Sequence, residues 1–354
     1  MSNAKKRITW VLALIFALGL ALMGNDWIGT AAAAPPAGDT KEPAVKLPAP
    51  IGLDITYIPG SKDSKHKFDL YSPTSPKPQG GYPLIIYVHG GGFVRGDKFG
   101  NEDSLATILS GLDKGYMVAA VNYRLGGTDK APAQIVDVKA AIRHLKANAA
   151  QYGFNPDRIA LFGVSAGASI AAAAAVTGDG HLFDTELNQL GADKASDKVT
   201  AAITLYGIYN FNTAEGQYRW LVNADDTSLD SKYLPAYADY KRFFAGKKLK
   251  LFNAPEAGEY VVLGGAFETK QDVITKICAE LQVEANEPPF FIRHGTRDMA
   301  IPFLQSVEFA KMLKAKGNKV DFTLVEGAEH GLPGQNFYKI FKAQEMFDWL
   351  QANL

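Results

Sequence analysis

The chain is short of cysteine, of net charge and of repeats, and each shortage excludes something. One cysteine, Cys278, stands in 354 residues, so no intramolecular disulfide can form. A lone thiol of this kind reads as a small buried hydrophobe. Basic and acidic side chains number 37 each, and no basic stripe stands out. The electrostatic footprint of a nucleic-acid binder is therefore missing. No internal repeat is found. Neither G-x-x-x-x-G-K-[ST] nor G-x-G-x-x-G opens a helix, which excludes the usual phosphate cradles. No cofactor and no metal are expected.

What is present is an ordinary globular composition, 47% hydrophobic and 21% charged. It lies far from the charge-rich, apolar-poor balance of disorder. Roughly 300 residues bury a sizeable core without staples. The first residues read differently from the rest. Lys5, Lys6 and Arg7 precede an apolar run from Ile8 to Met23, and Ala31 to Ala34 follow. This is the pattern of a secretory signal peptide, residues 1–34, cleaved near Ala33 or Ala34. The apolar run is shorter than the ~20 residues of a spanning helix, which favours cleavage over an uncleaved membrane anchor. No cysteine follows the run, so a lipoprotein anchor is excluded. The leader carries three positive side chains and Asp26, so the mature protein would be near −2. An exported, periplasmic or secreted protein is expected, with membrane contact only through this segment. Residues 35–50, rich in Pro and Ala, read as a flexible linker.

From residue 51 to 354 the pattern is one catalytic domain. Ile55–Ile58 and Lys67–Tyr71 read as a short antiparallel pair. Leu84–Val88, Tyr116–Val121, Ile159–Phe162 and Val199–Leu205 are apolar strands. Helical stretches fall at about 102–113, at 133–150 with Ile135, Val138, Ile142 and Leu145 at helical spacing, and at Ala166–Val176. Asn155-Pro156-Asp157 reads as a turn. Regular alternation stops over about 209–286, a stretch dense in Tyr and Phe. It resumes with Pro289–Arg293, a helix at 303–316, Val320–Val325 and a helix at 336–352. The fold class is α/β: a mostly parallel central sheet flanked by helices, with a helical or irregular cap inserted at about 209–286. The cap aromatics would either line a pocket or form the cap's own core.

In an open α/β sheet, sites form beyond the carboxyl ends of the strands. Four strand ends carry chemistry. Val88 is followed by His89-Gly90-Gly91-Gly92-Phe93, and Phe162 by Gly163-Val164-Ser165-Ala166-Gly167. Arg293 is followed by His294-Gly295-Thr296-Arg297-Asp298, and Val325 by Glu326-Gly327-Ala328-Glu329-His330. Chance alone gives G-x-S-x-G in ~0.1 of chains this long. Between an apolar strand and an Ala-rich helix it reads as a nucleophile elbow, where small neighbours permit a strained turn.

A serine hydroxyl needs a base to take its proton. Six histidines are available. His66 precedes a strand far upstream, His89 braces the glycine loop, and His144 lies in a helix. His181 falls in a polar turn, and His294 ends a strand and reads as structural. His330, in a loop after the last strand, leaves an acid between itself and Ser165, as the order Ser, acid, His requires. Asp298 is the preferred acid over Glu326, Glu329 and Asp321. Its bland alternative is a turn-capping aspartate. Backbone N–H groups of Gly91, Gly92 and Ala166 would complete an oxyanion hole.

These motifs resemble the hormone-sensitive-lipase-like branch of the α/β-hydrolases, and more closely the bacterial feruloyl/acetyl esterase-like subgroup. Further stretches carry the resemblance: Phe68-Asp69-Leu70-Tyr71-Ser72-Pro73, His89 through Lys98, Asn122-Tyr123-Arg124-Leu125, Pro132 through Ala141, and Asn155-Pro156-Asp157-Arg158-Ile159. It spans about 52–208 and 287–352. It implies the triad Ser165, Asp298, His330 and the hole Gly91, Gly92, Ala166. Val164 and Ala168 depart from common family residues, and neither is a reacting group. Residues 209–260 match the family poorly, and that region is expected to shape the acyl or alcohol pocket.

The expected activity is carboxylic-ester hydrolysis through an acyl-enzyme, on a small or polysaccharide-linked ester such as an acetylated or feruloylated plant polysaccharide. Amide, peptide or formamidase-like hydrolysis is a second possibility, and a non-catalytic hydrolase scaffold used for binding is a third.

Overall fold

The computed structural model describes residues 47–100, 102–223 and 233–354. The expected signal peptide, and all of the expected linker up to residue 46, lie outside the described residues. No helix among the described residues is long and apolar enough to cross a membrane.

The strands are β1 (Gly52–Thr56), β2 (Lys67–Tyr71), β3 (Tyr82–Val88), β4 (Met117–Val121), β5 (Phe154–Val164), β6 (Ala201–Leu205), β7 (Phe290–Gly295) and β8 (Val320–Val325). They form one sheet in the order β1-β2-β4-β3-β5-β6-β7-β8. β1 pairs antiparallel with β2, and β2 with β4. The pairs from β4 through β8 are all parallel. The inner strands β3, β4, β6 and β7 are buried at every residue, which is why they read as unbroken apolar runs. The edge strands β1 and β8 hold no buried residue.

Helices cover both faces. They are α1 (Glu102–Leu109), α2 (Ala133–Ala147), α3 (Ala149–Tyr152), α4 (Ala166–Val176), α5 (Asp184–Leu190), α6 (Phe211–Asn223), α7 (Leu234–Phe244), α8 (Gly258–Leu263), α9 (Gln271–Ile277), α10 (Ala279–Gln282), α11 (Leu304–Ala315), α12 (Phe337–Ile340) and α13 (Ala343–Asn353). Alternate residues of each strand serve opposite faces. Leu84, Ile86 and Val88 join one core with α2, α4 and α11. Ile85 and Tyr87 join the other with α1 and α13.

Several boundaries differ from the expectation. β1 ends at Thr56, so Tyr57 and Ile58 lie past it. The helix expected at 133–150 breaks at Asn148, whose amide Nδ2 donates to the His144 carbonyl at 2.8 Å. The helix expected at 336–352 breaks between α12 and α13. Asn155-Pro156-Asp157 is not a separate turn, because β5 runs through it from Phe154. Tyr82 pairs with Phe154 and Leu84 with Ile159, so β5 bulges there. The Asp157 N–H closes on Asn155 Oδ1 at 2.9 Å inside the bulge.

The region 209–286 contains α6 through α10. Its aromatics Tyr209, Phe211, Tyr218, Tyr237, Tyr240, Phe244 and Phe252 are continuous with the core on the α4 face of the sheet. The described residues cluster as one compact unit. The interruption of strand–helix rhythm therefore adds a layer to the domain rather than a second domain.

Candidate active site

The serine stands on a strained corner. β5 ends at Val164 and α4 begins at Ala166. Ser165 between them holds φ 55° and ψ −125°, a conformation costing on the order of 1–3 kcal/mol. Its N–H donates to the Leu205 carbonyl at 3.0 Å, which ties the corner to β6. Two glycines make the corner possible. A Cβ on Gly163 would lie 2.3 Å from the Gly167 carbonyl oxygen, and a Cβ on Gly167 would lie 2.2 Å from that of Val88. The same closeness brings the glycine loop to the serine, since a Cβ on Gly90 would lie 3.1 Å from the Ser165 Cβ.

Ser165, His330 and Asp298 come together as one hydrogen-bonded run. The Ser165 hydroxyl lies 2.8 Å from His330 Nε2. His330 Nδ1 lies 2.6 Å from Asp298 Oδ2. His330 and Asp298 are buried, and Ser165 is half-buried. Asp298 Oδ1 accepts from the N–H groups of Ala300 at 2.7 Å and Ile301 at 2.8 Å. Burial pushes the Asp298 carboxyl up, but the His330 and His294 imidazoles beside it outweigh burial and hold it well below the usual carboxylate range. It is an ionised acceptor facing His330 Nδ1–H, the arrangement that fixes the imidazole tautomer.

His294 was read from sequence as a structural strand end, and the structure places it on the acid as well. Its Nε2 lies 3.1 Å from the Ile301 carbonyl and 3.2 Å from Asp298 Oδ2. Both neighbours only accept, so Nε2 carries the proton. Nδ1 lies 2.7 Å from Ser306 Oγ. Two imidazole N–H groups thus converge on one carboxylate oxygen. The i, i+4 spacing of His294 and Asp298 across Gly295 was the available signal.

The glycine loop is held from behind. His89 Nδ1–H donates to the Gly90 carbonyl at 2.7 Å. Its ring stacks on Tyr123 with centroids 4.2 Å apart, and the Tyr123 hydroxyl donates to the His89 carbonyl at 2.8 Å. Burial pulls the His89 imidazole down to about 4, so it stays neutral. Gly91 and Gly92 adopt φ 119° and 58°. Among the described residues, the N–H groups of Gly91, Gly92 and Ala166 take no protein partner, as donors reserved for an oxyanion would.

Tyr206 is a further residue that sequence reasoning missed. Its ring centroid lies 4.6 Å from that of His330, and its hydroxyl bonds that of Tyr338. A Cβ on Gly331 would fall 2.2 Å from the Tyr206 hydroxyl oxygen, so the residue after His330 has no room for a side chain. The remaining histidines lie elsewhere. His66 meets Ser61, His144 meets Asp193 and Tyr152, and His181 meets Asp184 at the surface. Asp321, a rival acid by sequence, pairs with Arg293 at 2.9 Å. Cys278 is buried, and burial raises its thiol to about 12. The described residues hold no group of three or more metal-ligating side chains.

The cap closes on this constellation from two sides. A Cβ on Gly258, at the start of α8, would lie 2.0 Å from the Gly92 carbonyl oxygen. On α7, Asp239 takes a bidentate pair from Arg297 at 2.9 Å and 2.9 Å, tying the cap to the residue before Asp298. A cavity of about 20 Å³ opens between Phe93, Ser169, Ile170, Phe211 and Val262.

Comparison with known proteins bears on this geometry. The BD-FAE family model matches residues 68–313. The chain is 24% identical over 343 residues to the probable carboxylic ester hydrolase LipM of Mycobacterium tuberculosis, over 89% of this chain and 70% of that protein. It is 28% identical to esterase LipQ of the same organism, over 78% of this chain. It spans little more than half of LipQ, 56% of that length. Among solved structures, a truncated carbohydrate esterase from gut microbiota superposes with a TM-score of 0.65 at 22% identity, over 85% of this chain and 94% of that one. A tannase from Lactobacillus plantarum gives 0.66 at 18% identity, over 85% and 94%. These structural likenesses speak to the fold.

Proposed function

Because the chain belongs to the BD-FAE family of α/β-hydrolases, we propose that it is an exported serine carboxylesterase acting through Ser165, His330 and Asp298. The observation that carries this reading is the unbroken run from Ser165 Oγ to His330 Nε2 at 2.8 Å and from His330 Nδ1 to Asp298 at 2.6 Å. His330 Nε2 takes the hydroxyl proton as Ser165 Oγ adds to the ester carbonyl. The new oxyanion is met by the N–H groups of Gly91, Gly92 and Ala166, each such donor contributing roughly a hundred- to a thousand-fold in rate. Asp298 stays ionised and stabilises the imidazolium. His330 then gives its proton to the leaving alcohol, and water repeats the cycle on the acyl-enzyme.

The substrate reading is an acetyl or feruloyl ester, free or attached to a plant polysaccharide. The basic n-region, apolar run and small residues of 1–34 support export. The aromatic cap suits a ring. An ester panel comparing acetyl, longer acyl and feruloyl substrates separates these. The activity itself is tested with p-nitrophenyl acetate. Ser165→Ala is expected to lower kcat by about a million-fold, to the background, and full activity in that variant would sink the mechanism.

A further inference from the structure

The cap buries polar atoms for which the fold offers too few partners. Tyr218 on α6 and Tyr240 on α7 are fully buried, their ring centroids 6.4 Å apart. The two hydroxyls face one another, and neither finds any other protein partner. Glu259, on α8, is 2% exposed. Its Oε1 takes Lys250 Nζ at 2.7 Å, while its Oε2 is buried without a partner. Even a bond between the two phenols would use one of their two hydrogens. One O–H donor and one carboxylate oxygen would still be unmet.

These atoms share a place in the fold. Tyr240 packs edge-on against Phe303, centroids 5.6 Å apart, and Phe303 follows the Asp298 loop. Its neighbour Asp239 grips Arg297. Glu259 follows Gly258, which lies against Gly92. Tyr218 bridges the two, stacked on Phe252 at 5.5 Å, with Lys250 Nζ 4.4 Å above that ring. The Asp298 carboxylate acts on both phenols, and that of Glu259 acts on Tyr218. Other unpartnered buried atoms, among them those of Tyr209, Thr204, Glu280 and His89, lie elsewhere, and two of the rest lie beside a charge. Asp69 has Lys98 at 3.3 Å and His66 has Asp137 at 3.7 Å, each a charge to lean on.

A group that accepts from a phenol while donating to a carboxylate is a hydroxyl. Aromatic rings on its flanks suit a ring that carries it. Resting on the esterase reading above, we propose that Tyr218, Tyr240 and Glu259 form a recognition point for a ring hydroxyl of the ester substrate. The ring is either a sugar on the alcohol side or a phenol on the acyl side.

Two matched substrate pairs test this. Cyclohexyl acetate against a glucose monoacetate reads the alcohol side. Methyl cinnamate against methyl 3,4-dihydroxycinnamate reads the acyl side. The wild type is expected to prefer the hydroxylated member of one pair by about ten-fold or more in kcat/KM, and the pair that responds identifies the side. Glu259→Gln and Tyr218→Phe are expected to remove most of that preference, a loss of about ten-fold, the scale of a hydrogen bond to a charged group. Tyr218→Phe and Tyr240→Phe should leave the melting temperature little changed, because at most the bond between the two phenols is lost. A merely structural role would lower it. No preference in either pair, or a preference that survives both Glu259→Gln and Tyr218→Phe, overturns the proposal. Should no ester be turned over, the esterase reading fails by itself. Calorimetry with glucose and 3,4-dihydroxycinnamate then decides the site: binding lost in Glu259→Gln supports it, and no binding overturns it.

Discussion

The acid loop and the cap treat buried oxygen in opposite ways. Asp298 is sealed from solvent, and its two oxygens take four donors: two backbone N–H groups, His330 and His294. A few residues away in space, Tyr218, Tyr240 and Glu259 are just as sealed and lack protein partners for at least two polar groups. The cost of leaving such a group unmet is about 1–3 kcal/mol each. The difference teaches which part of the site is complete by itself. On the proposed mechanism the acid loop holds one imidazole in one tautomer at every turnover, which suits a loop whose bonds are all internal. The cap wall, on the proposal above, keeps bonding capacity for a substrate hydroxyl.

The sharpest way to break this contrast is at the acid. Asp298→Asn keeps the shape but presents an amide where His330 Nδ1–H needs an acceptor. Steady-state kinetics should show kcat down about ten-thousand-fold. A loss below ten-fold would mean that the four-donor carboxylate is structural.

His294 gives a smaller effect that refines the comparison. His294→Phe removes one of the four donors, and kcat should fall roughly 10- to 100-fold with KM little changed. His294→Gln, which can place an N–H near the position of Nε2, should recover most of it. If both variants lose activity equally, His294 fills space rather than positions Asp298.

The smallest effect is on stability against pH. Two buried groups of the site, Asp298 and His89, have folded pKa values below their unfolded ones. For Asp298 the stabilisation is present above the unfolded value near 4 and is lost as pH falls through and below it. For His89, held down to about 4 by burial, the unfolded chain binds a proton from about pH 6.5 downward and the folded chain does not. Stability therefore falls from pH 6.5 to 4, by on the order of 3 kcal/mol from this residue. Denaturant titrations of His89→Gln should show a shallower decline across that window than the wild type. An equal decline would mean that His89 protonates freely in the fold.

Much of the site was legible in the sequence because its determinants are local. Unbroken apolar runs mark strands buried on both faces, and the residues just past them are the ones a parallel sheet gathers at one edge. Gly163 and Gly167 flank Ser165 because a Cβ at either would strike backbone. The order Ser165, Asp298, His330 singled out the histidine. What was missed depends on partners distant in sequence or on spacing read against the wrong template. His294 looks like any strand end until the turn at Gly295 folds Asp298 back onto it. Asn155-Pro156-Asp157 has the composition of a turn, yet β3 and the bulge keep it within β5. In the cap, Phe211, Ala214, Tyr218 and Leu221, and Tyr237, Tyr240 and Phe244, stand at helical spacing and are all buried. That spacing was visible, but loss of strand–helix alternation masked it. Nothing local shows that Tyr218 comes to stack on Phe252 or that Glu259 takes Lys250 beside it.

The central claim is that Ser165 is the nucleophile and that its neighbours make it one. Labelling the purified protein with a fluorophosphonate and sequencing its peptides by mass spectrometry tests this without any assumption about the natural ester. The expected result is one adduct, on Ser165, absent from Ser165→Ala and strongly slowed in Asp298→Asn. No adduct, or an adduct on another serine with Ser165 untouched, would contradict it.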